Sequence, residues 1–328
     1  MTSLEYANAR IKGLKSFLIK ESDIRIAMEL KNVRDFAVWL ENTPYKNVLE
    51  GKGIEDIERA LFREWVDTSE KIKGLVPDDT RDFFSAFVSV FEIEALKMMV
   101  ASKTNGRTSD SYAVSFSGRL RTRSKKLAEA ETVNAMAEVL GRTEYGQLFR
   151  KCIEEKKDIN AELDMYYFTK LWHEFSRLSS SHRDSAEKLI GTDIDAVNVM
   201  KILRAKENGD NEVSVIEIFH RLRKQAVNDC KKTDSVKSAL SILSSGAYGR
   251  LLDEASQRYE KDKSLFHFEQ SLRRFALKLY RSAMMDVLGV GVPLSYLKLK
   301  ETEIKNLRSI ALGLDNGLGK NDIEEMLI

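Results

Sequence analysis

The chain of 328 residues is long enough for about two domains of ordinary size, and its 43% apolar content excludes a disordered polymer. Its 53 Lys and Arg against 51 Asp and Glu leave a formal net charge of +2, without the basic excess of a dedicated nucleic-acid binder. Only three prolines occur, and since proline removes a helix donor and clashes with the preceding turn, that scarcity predicts long helices.

In chain order, Met1-Thr-Ser-Leu-Glu-Tyr6 offers neither a basic nor an apolar leader stretch, so no signal peptide is expected. Leu4, Ala7, Ile11, Leu14 and Leu18 step by three and four and predict a first helix with one apolar face. Pro77 sets Asp78 and Asp79 at a helix start, where carboxylates satisfy free amides and oppose the dipole. The most apolar stretch, Phe83 to Met99, is interrupted by Ser85, Ser89, Glu92, Glu94 and Lys97 and is no membrane span.

Arg119, Arg121, Arg123, Lys125 and Lys126 form the densest charge run. On one helix Arg119, Arg123 and Lys126 would share a face, with Arg121 and Lys125 nearly opposite, so no continuous phosphate-tracking stripe results. The run reads as a solvated helix compensated by Glu129 and Glu131. Arg119, Arg121 and Arg123 are the candidate docking residues for an acidic partner. Helical periodicity returns at Leu163, Tyr166, Tyr167, Leu171, Phe175 and Leu178, and at Leu265, Phe268, Leu272, Phe275, Ala276 and Leu279. Two-residue alternation is missing, so the expected class is all-α.

Recurrence organises these helices. Leu40-Glu-Asn-Thr43-Pro-Tyr45-Lys-Asn-Val48-Leu49 has counterparts in Leu140-Gly-Arg-Thr143-Glu-Tyr145-Gly-Gln-Leu148-Phe149 and Leu243-Ser-Ser-Gly246-Ala-Tyr248-Gly-Arg-Leu251-Leu252. The three tyrosines are expected to pack between helices rather than bind ligands. Glu58/Leu61, Glu162/Met165 and Glu269/Leu272 follow, and then three similar helices that start near Glu94, Asp195 and Glu303. Gly106, Gly209 and Gly313 come after these, where left-handed caps are expected. A threefold duplication is therefore expected, in segments 1–107, 108–210 and 211–328.

Tyr6-Ala-Asn8-Ala-Arg10 at the start, Gly289-Val-Gly-Val-Pro293-Leu-Ser-Tyr296-Leu-Lys-Leu-Lys300-Glu301 and Glu303-Ile-Lys-Asn306-Leu-Arg308-Ser-Ile310 near the end, and the three segments between them carry a likeness over essentially the whole chain. It closely resembles the central-stalk C subunit of A-type and V-type rotary ATPases, known as the d subunit in the eukaryotic vacuolar enzyme. The third segment departs by having Gly246 where the others have Thr43 and Thr143. The resemblance implies three similar helical bundles about a pseudo-threefold axis, in a funnel-like body. It also implies a non-catalytic rotor component that joins the axle subunits of the ATPase head to the membrane rotor ring and passes on torque for proton or sodium transport. Such a protein would be monomeric alone, present once per complex, peripheral on the cytoplasmic face, and without cofactor, metal, nucleic acid or membrane span of its own.

Catalytic chemistry is sparse. No G-x-x-x-x-G-K-[ST] phosphate loop occurs, and Gly289-Val-Gly291-Val-Pro293 reads as a helix-initiating turn rather than a dinucleotide site. Asp78-Asp79-Thr-Arg-Asp82 spells the motif with which all-α prenyl-transfer enzymes hold magnesium diphosphate, and this is the alternative reading of function. Its best second cluster, Asn228-Asp229-Cys-Lys-Lys232, has lysine where a hydroxyl ligand belongs. His173-Glu174-Phe-Ser-Arg177 fails as a zinc motif because arginine cannot ligate zinc, while His182, His220 and His267 stand isolated as surface or rim residues. Cys152 and Cys230 have no C-x-x-C spacing; a reducing compartment and two buried thiols are expected.

Overall fold

The computed structural model describes residues 3–47, 49–105, 116, 118–210, 212–286 and 289–328. Among the described residues the protein is 78% helical and has no strand, as the sequence predicts.

Helix α1 (Leu4–Leu14) starts at Ser3, whose hydroxyl accepts the Tyr6 N–H at 3.4 Å, and it buries Leu4, Ala7 and Ile11. The predicted face extends to Leu18, but a tighter turn at Lys15–Phe17 ends the regular helix first. Helices α2 (Glu21–Met28), α3 (Val33–Leu40) and α4 (Ile54–Leu75) follow. The apolar stretch 83–99 is divided by Ser89 into α5 (Arg81–Val88) and α6 (Val90–Asn105), and the Ser89 hydroxyl donates to the Ala86 carbonyl at 2.8 Å. The cationic run does not form one helix: α7 (Gly118–Arg121) and α8 (Ser124–Glu129) are separated by a turn at Thr122 and Arg123. The rest comprises α9 (Val133–Leu140), α10 (Glu144–Glu155), α11 (Ile159–Arg177), α12 (Ser180–Asn208), α13 (Lys224–Lys231), α14 (Val236–Ser244), α15 (Gly249–Asp262), α16 (Phe266–Ala283), α17 (Gly291–Asp315) and α18 (Lys320–Met326).

Local chemistry recurs with the sequence. Asn32, Thr132 and Ser235 cap α3, α9 and α14, each side-chain oxygen accepting the amide three residues on at 3.0, 3.1 and 3.2 Å. Such a cap contributes about 1 kcal/mol. Gly209 closes α12 at φ 74°, the left-handed cap that the sequence predicts. Gly313 lies inside α17 instead, and the positive-φ residue after that helix is Gly317. What Gly313 supplies is room: a Cβ there would meet Cγ1 of Ile323 in α18 at 2.6 Å. Gly106 lies outside the described residues.

By packing, the chain falls into two compact units, Met1–Leu171 with Tyr296–Leu327, and Trp172–Ser295 with Ile328. In the first, Trp65 stacks on Phe91 with centroids 4.5 Å apart and donates its indole N–H to the Val88 carbonyl at 3.3 Å. The core of the second gathers Val199, Ile202 and Leu203 of α12, Leu243 of α14, Leu252 of α15, and Phe268 and Leu272 of α16. The boundaries fall inside α11 and α17. Packing therefore places α12 with the helices of the third expected segment, and most of α17 with those of the first.

Candidate functional site: tyrosine joints and a buried charge seam

The residues singled out for metal or acid–base chemistry are locally occupied. Asp78 pairs with Arg81 at the start of α5, while Asp229 accepts from Gln225 at 3.0 Å and faces Lys232 at 3.7 Å. Among the described residues no group of three His, Cys, Asp or Glu could hold a metal ion, so the diphosphate alternative gains no support. Arg177 pairs with Glu174 at 2.8 Å beside an exposed His173. His267 bonds Asp262 at 2.7 Å, and His220 lies 3.9 Å from Glu187. Cys152 and Cys230 are buried, and burial pushes both thiols up, Cys230 to about 11. Gly289 has φ 81° in the turn that opens α17, as the Gly-Val-Gly-Val-Pro spelling predicts.

One cluster that the sequence does not advertise has a catalytic look. Tyr166 and Lys170 lie one turn apart in α11, with Nζ 3.0 Å from the phenol oxygen, and both donate to Glu144. Burial and the Glu144 carboxylate push the Tyr166 phenol up to about 12. That is the wrong direction for proton transfer near neutrality, and the cluster serves to fasten α10 to α11.

Of the candidate docking residues, Arg121 is exposed. Arg123 is spent internally: its Nη1 donates to the carbonyls of Val139 and Leu140 at 2.9 and 2.6 Å and so satisfies the open end of α9. Arg119 belongs to α7, and its side chain lies outside the described residues. The turn at 122–123 removes the single-helix geometry that the sequence pattern assumes.

The recurring tyrosines do come to equivalent chemistry. Tyr248 donates its hydroxyl to Asp195 Oδ2 at 2.8 Å, Tyr145 to Glu92 Oε2 at 3.3 Å and Tyr45 to Glu303 Oε1 at 2.7 Å. All three rings are buried. Burial first, and the facing carboxylate second, push each phenol upward and keep it a donor. Each acid sits on the helix that ends the preceding expected segment, except that Tyr45 takes its acid from α17 in the third. The pairs of Tyr248 and Tyr145 are both 53 residues apart in sequence. Glu92, not Glu94, is thus the counterpart of Asp195, a two-residue correction to the sequence alignment. Two lysines support this register, since Lys103 donates to the Ala128 carbonyl at 2.7 Å and Lys206 to the Lys231 carbonyl at 3.0 Å, both at the ends of short helices.

The same acids also hold backbone. Asp195, fully buried, accepts the N–H groups of His220, Arg221 and Leu222 at 3.1, 2.7 and 3.0 Å, just before α13. Glu303 accepts the Ile19 N–H at 2.6 Å, just before α2. A carboxylate that accepts from several donors at once fixes the segments that carry them.

Around Glu303 the joint widens into a seam. Lys300, 2% exposed, lies 2.9 Å from Glu303 and 3.2 Å from Glu64, with Nζ 4.4 Å above the Tyr45 ring. Further along α17, Lys305 bridges Glu301 at 2.7 Å and Glu94 at 2.6 Å, and Arg308 meets Glu58 at 2.6 Å. Burial alone would raise the Glu301 carboxyl, but Lys298 and Lys305 outweigh it and hold the group at about 2. The arrangement locks one helix against two others by charge and geometry.

Comparison with known proteins finds relatives along nearly the whole chain. The A-type ATP synthase C subunit of Thermococcus onnurineus (strain NA1) is 28% identical over 335 residues, covering 99% of this chain and 90% of the relative. Those of Desulfurococcus sp. (strain SY) and Methanocaldococcus jannaschii are 26% and 27% identical, covering 99% and 98% of this chain and 90% and 86% of each relative. The ATP synthase (C/AC39) subunit family matches residues 7–326, and the chain belongs to that family, as a subunit of an ATP synthase complex.

Proposed function

We propose that the protein is the non-catalytic central-stalk subunit of an A/V-type rotary ATPase, on the cytoplasmic face of the membrane, joining the axle subunits of the ATPase head to the membrane rotor ring. In this reading it is present once per complex and transmits torque for proton or sodium movement. Family membership supports the assembly, and the three tyrosine–carboxylate joints support the mechanical role. Torque passes through a body without loss only if its parts resist shear, and a buried directional hydrogen bond resists shear better than apolar contact, which is non-directional. The division into segments 1–107, 108–210 and 211–328, set about a pseudo-threefold axis, is part of the proposal, and the recurrence of the joint supports it. No helix is long and apolar enough to cross a membrane among the described residues, which suits attachment through partner subunits. Exposed Arg121, with Arg119 beside it in sequence, would face an acidic partner surface.

Gel filtration and calorimetry with the purified axle subunits test this reading. A complex with one copy of this chain should form at low salt and weaken as salt rises, since exposed charge pairs are screened over about 8 to 10 Å. Failure to form any complex at low salt would defeat it.

A further inference from the structure

The tyrosine joints are not equivalent in one respect. Those of Tyr145 and Tyr248 tie together segments that the chain also connects directly, through residues 106–117 and 209–223. The joint of Tyr45 with Glu303 ties the first segment to α17, and the chain connects those two only by way of everything between, a separation of 258 residues. We infer that α17 and α18 form a strap closed by this seam, able to release from α4 and α6 while the other two joints stay shut. Beside its apolar face, a row of polar contacts closes it: Tyr45 and the Ile19 amide on Glu303, Lys300 on Glu64, Lys305 on Glu94, and Arg308 on Glu58. Buried ion pairs gain little until both partners are in register, and separated ions recover hydration that offsets much of the lost attraction. A seam of such pairs has two states, closed or open, with little in between.

The start of the strap is anchored apart from the seam. The Val290 amide donates to Ser185 Oγ at 3.1 Å, and Gly289, at φ 81°, lies so close that a Cβ would meet that oxygen at 2.6 Å. The helix start therefore stays held when the seam opens. An open strap bares Ile304, Leu307, Ile310 and Ala311, all fully buried when closed, and the strap is thus a concealed apolar surface.

Hydrogen–deuterium exchange on the full-length protein tests it. Tyr45→Phe removes a buried hydrogen bond and leaves its acceptor without that donor, and it should speed exchange across 296–315 roughly tenfold, leaving α14 to α16 unchanged. Arg308→Ala, at the less buried end of the seam, should accelerate the same segment and serves if the tyrosine variant folds poorly. Tyr248→Phe should accelerate residues 220–231 and leave 296–315 alone. Uniform acceleration over the whole chain by the seam variants, or no change at 296–315 in either, overturns the strap.

Discussion

At the residue scale, Tyr-Gly recurs where helix meets helix, and the reason is steric. A Cβ on Gly146 would meet the Gly141 carbonyl oxygen at 2.3 Å, and one on Gly249 the Ser244 carbonyl oxygen at 2.0 Å. In both places a new helix starts hard against the end of the last. The first segment has Lys46 after its tyrosine, and there the chain makes only a short tight turn at Pro44–Asn47. Gly249→Ala should accordingly destabilise by about 1–3 kcal/mol through overpacking. Gly13→Ala, with nothing within 4 Å of the new methyl, should stabilise by about 0.5–1 kcal/mol. Chemical denaturation compares them, and equal shifts would refute the steric account. The recurring tyrosines were legible in the sequence because aromatic spacing is conspicuous. Their acids were not placed to the residue: Glu92 and Glu94 are both acidic and two apart, and only the fold tells which of them faces Tyr145.

At the element scale, α17 carries charge in the interior, and its stability is tied to pH. The folded Glu301 carboxyl sits at about 2 against an ordinary value of 4.5. Its contribution, roughly 3 kcal/mol, is whole above pH 4.5 and is lost as pH falls from there toward 2. Glu301→Gln should thus be less stable near neutrality, and its stability should fall less steeply over that acid window, read from denaturant midpoints in a pH series. A variant with the wild-type acid limb would exclude the charged seam. Arg123 makes the contrasting case of a surface-looking cation with an inward task. Arg123→Ala should lower stability by about 1 kcal/mol by uncapping α9, whereas Arg121→Ala should leave it unchanged. Thermal melts distinguish the two. Periodicity foretold the helices well, since burial of one face is written in steps of three and four. It missed the break at 122–123 because a run of cations has no apolar face to locate a turn.

For the whole molecule, the expected segments follow recurrence in sequence, whereas the compact units follow packing, and packing moves α12 and most of α17 into neighbouring company. Sequence recurrence cannot foresee such exchange, because every copy carries the same pattern whichever neighbour it meets. Each unit holds one buried cysteine, Cys152 in the first and Cys230 in the second. Because α11 and α17 run unbroken through the unit boundaries, melting one unit frays a helix of the other. Both thiols should stay unmodified in the native protein and become reactive at one common denaturant concentration, followed by mass spectrometry. Two separate midpoints would show independent units. The placement of α17 bears, finally, on how the protein is made. Tyr145 and Tyr248 find acids that have already been synthesised, but the acid for Tyr45 is translated 258 residues later. At about 5–20 residues per second, a ribosome needs roughly 13 to 50 s to deliver it. For that interval the nascent chain holds Glu58, Glu64 and Tyr45 without their cations or acceptor, beside the aromatic cluster of Phe62, Trp65 and Phe91. Chaperone occupancy on translating ribosomes should therefore persist over the first segment until α17 emerges.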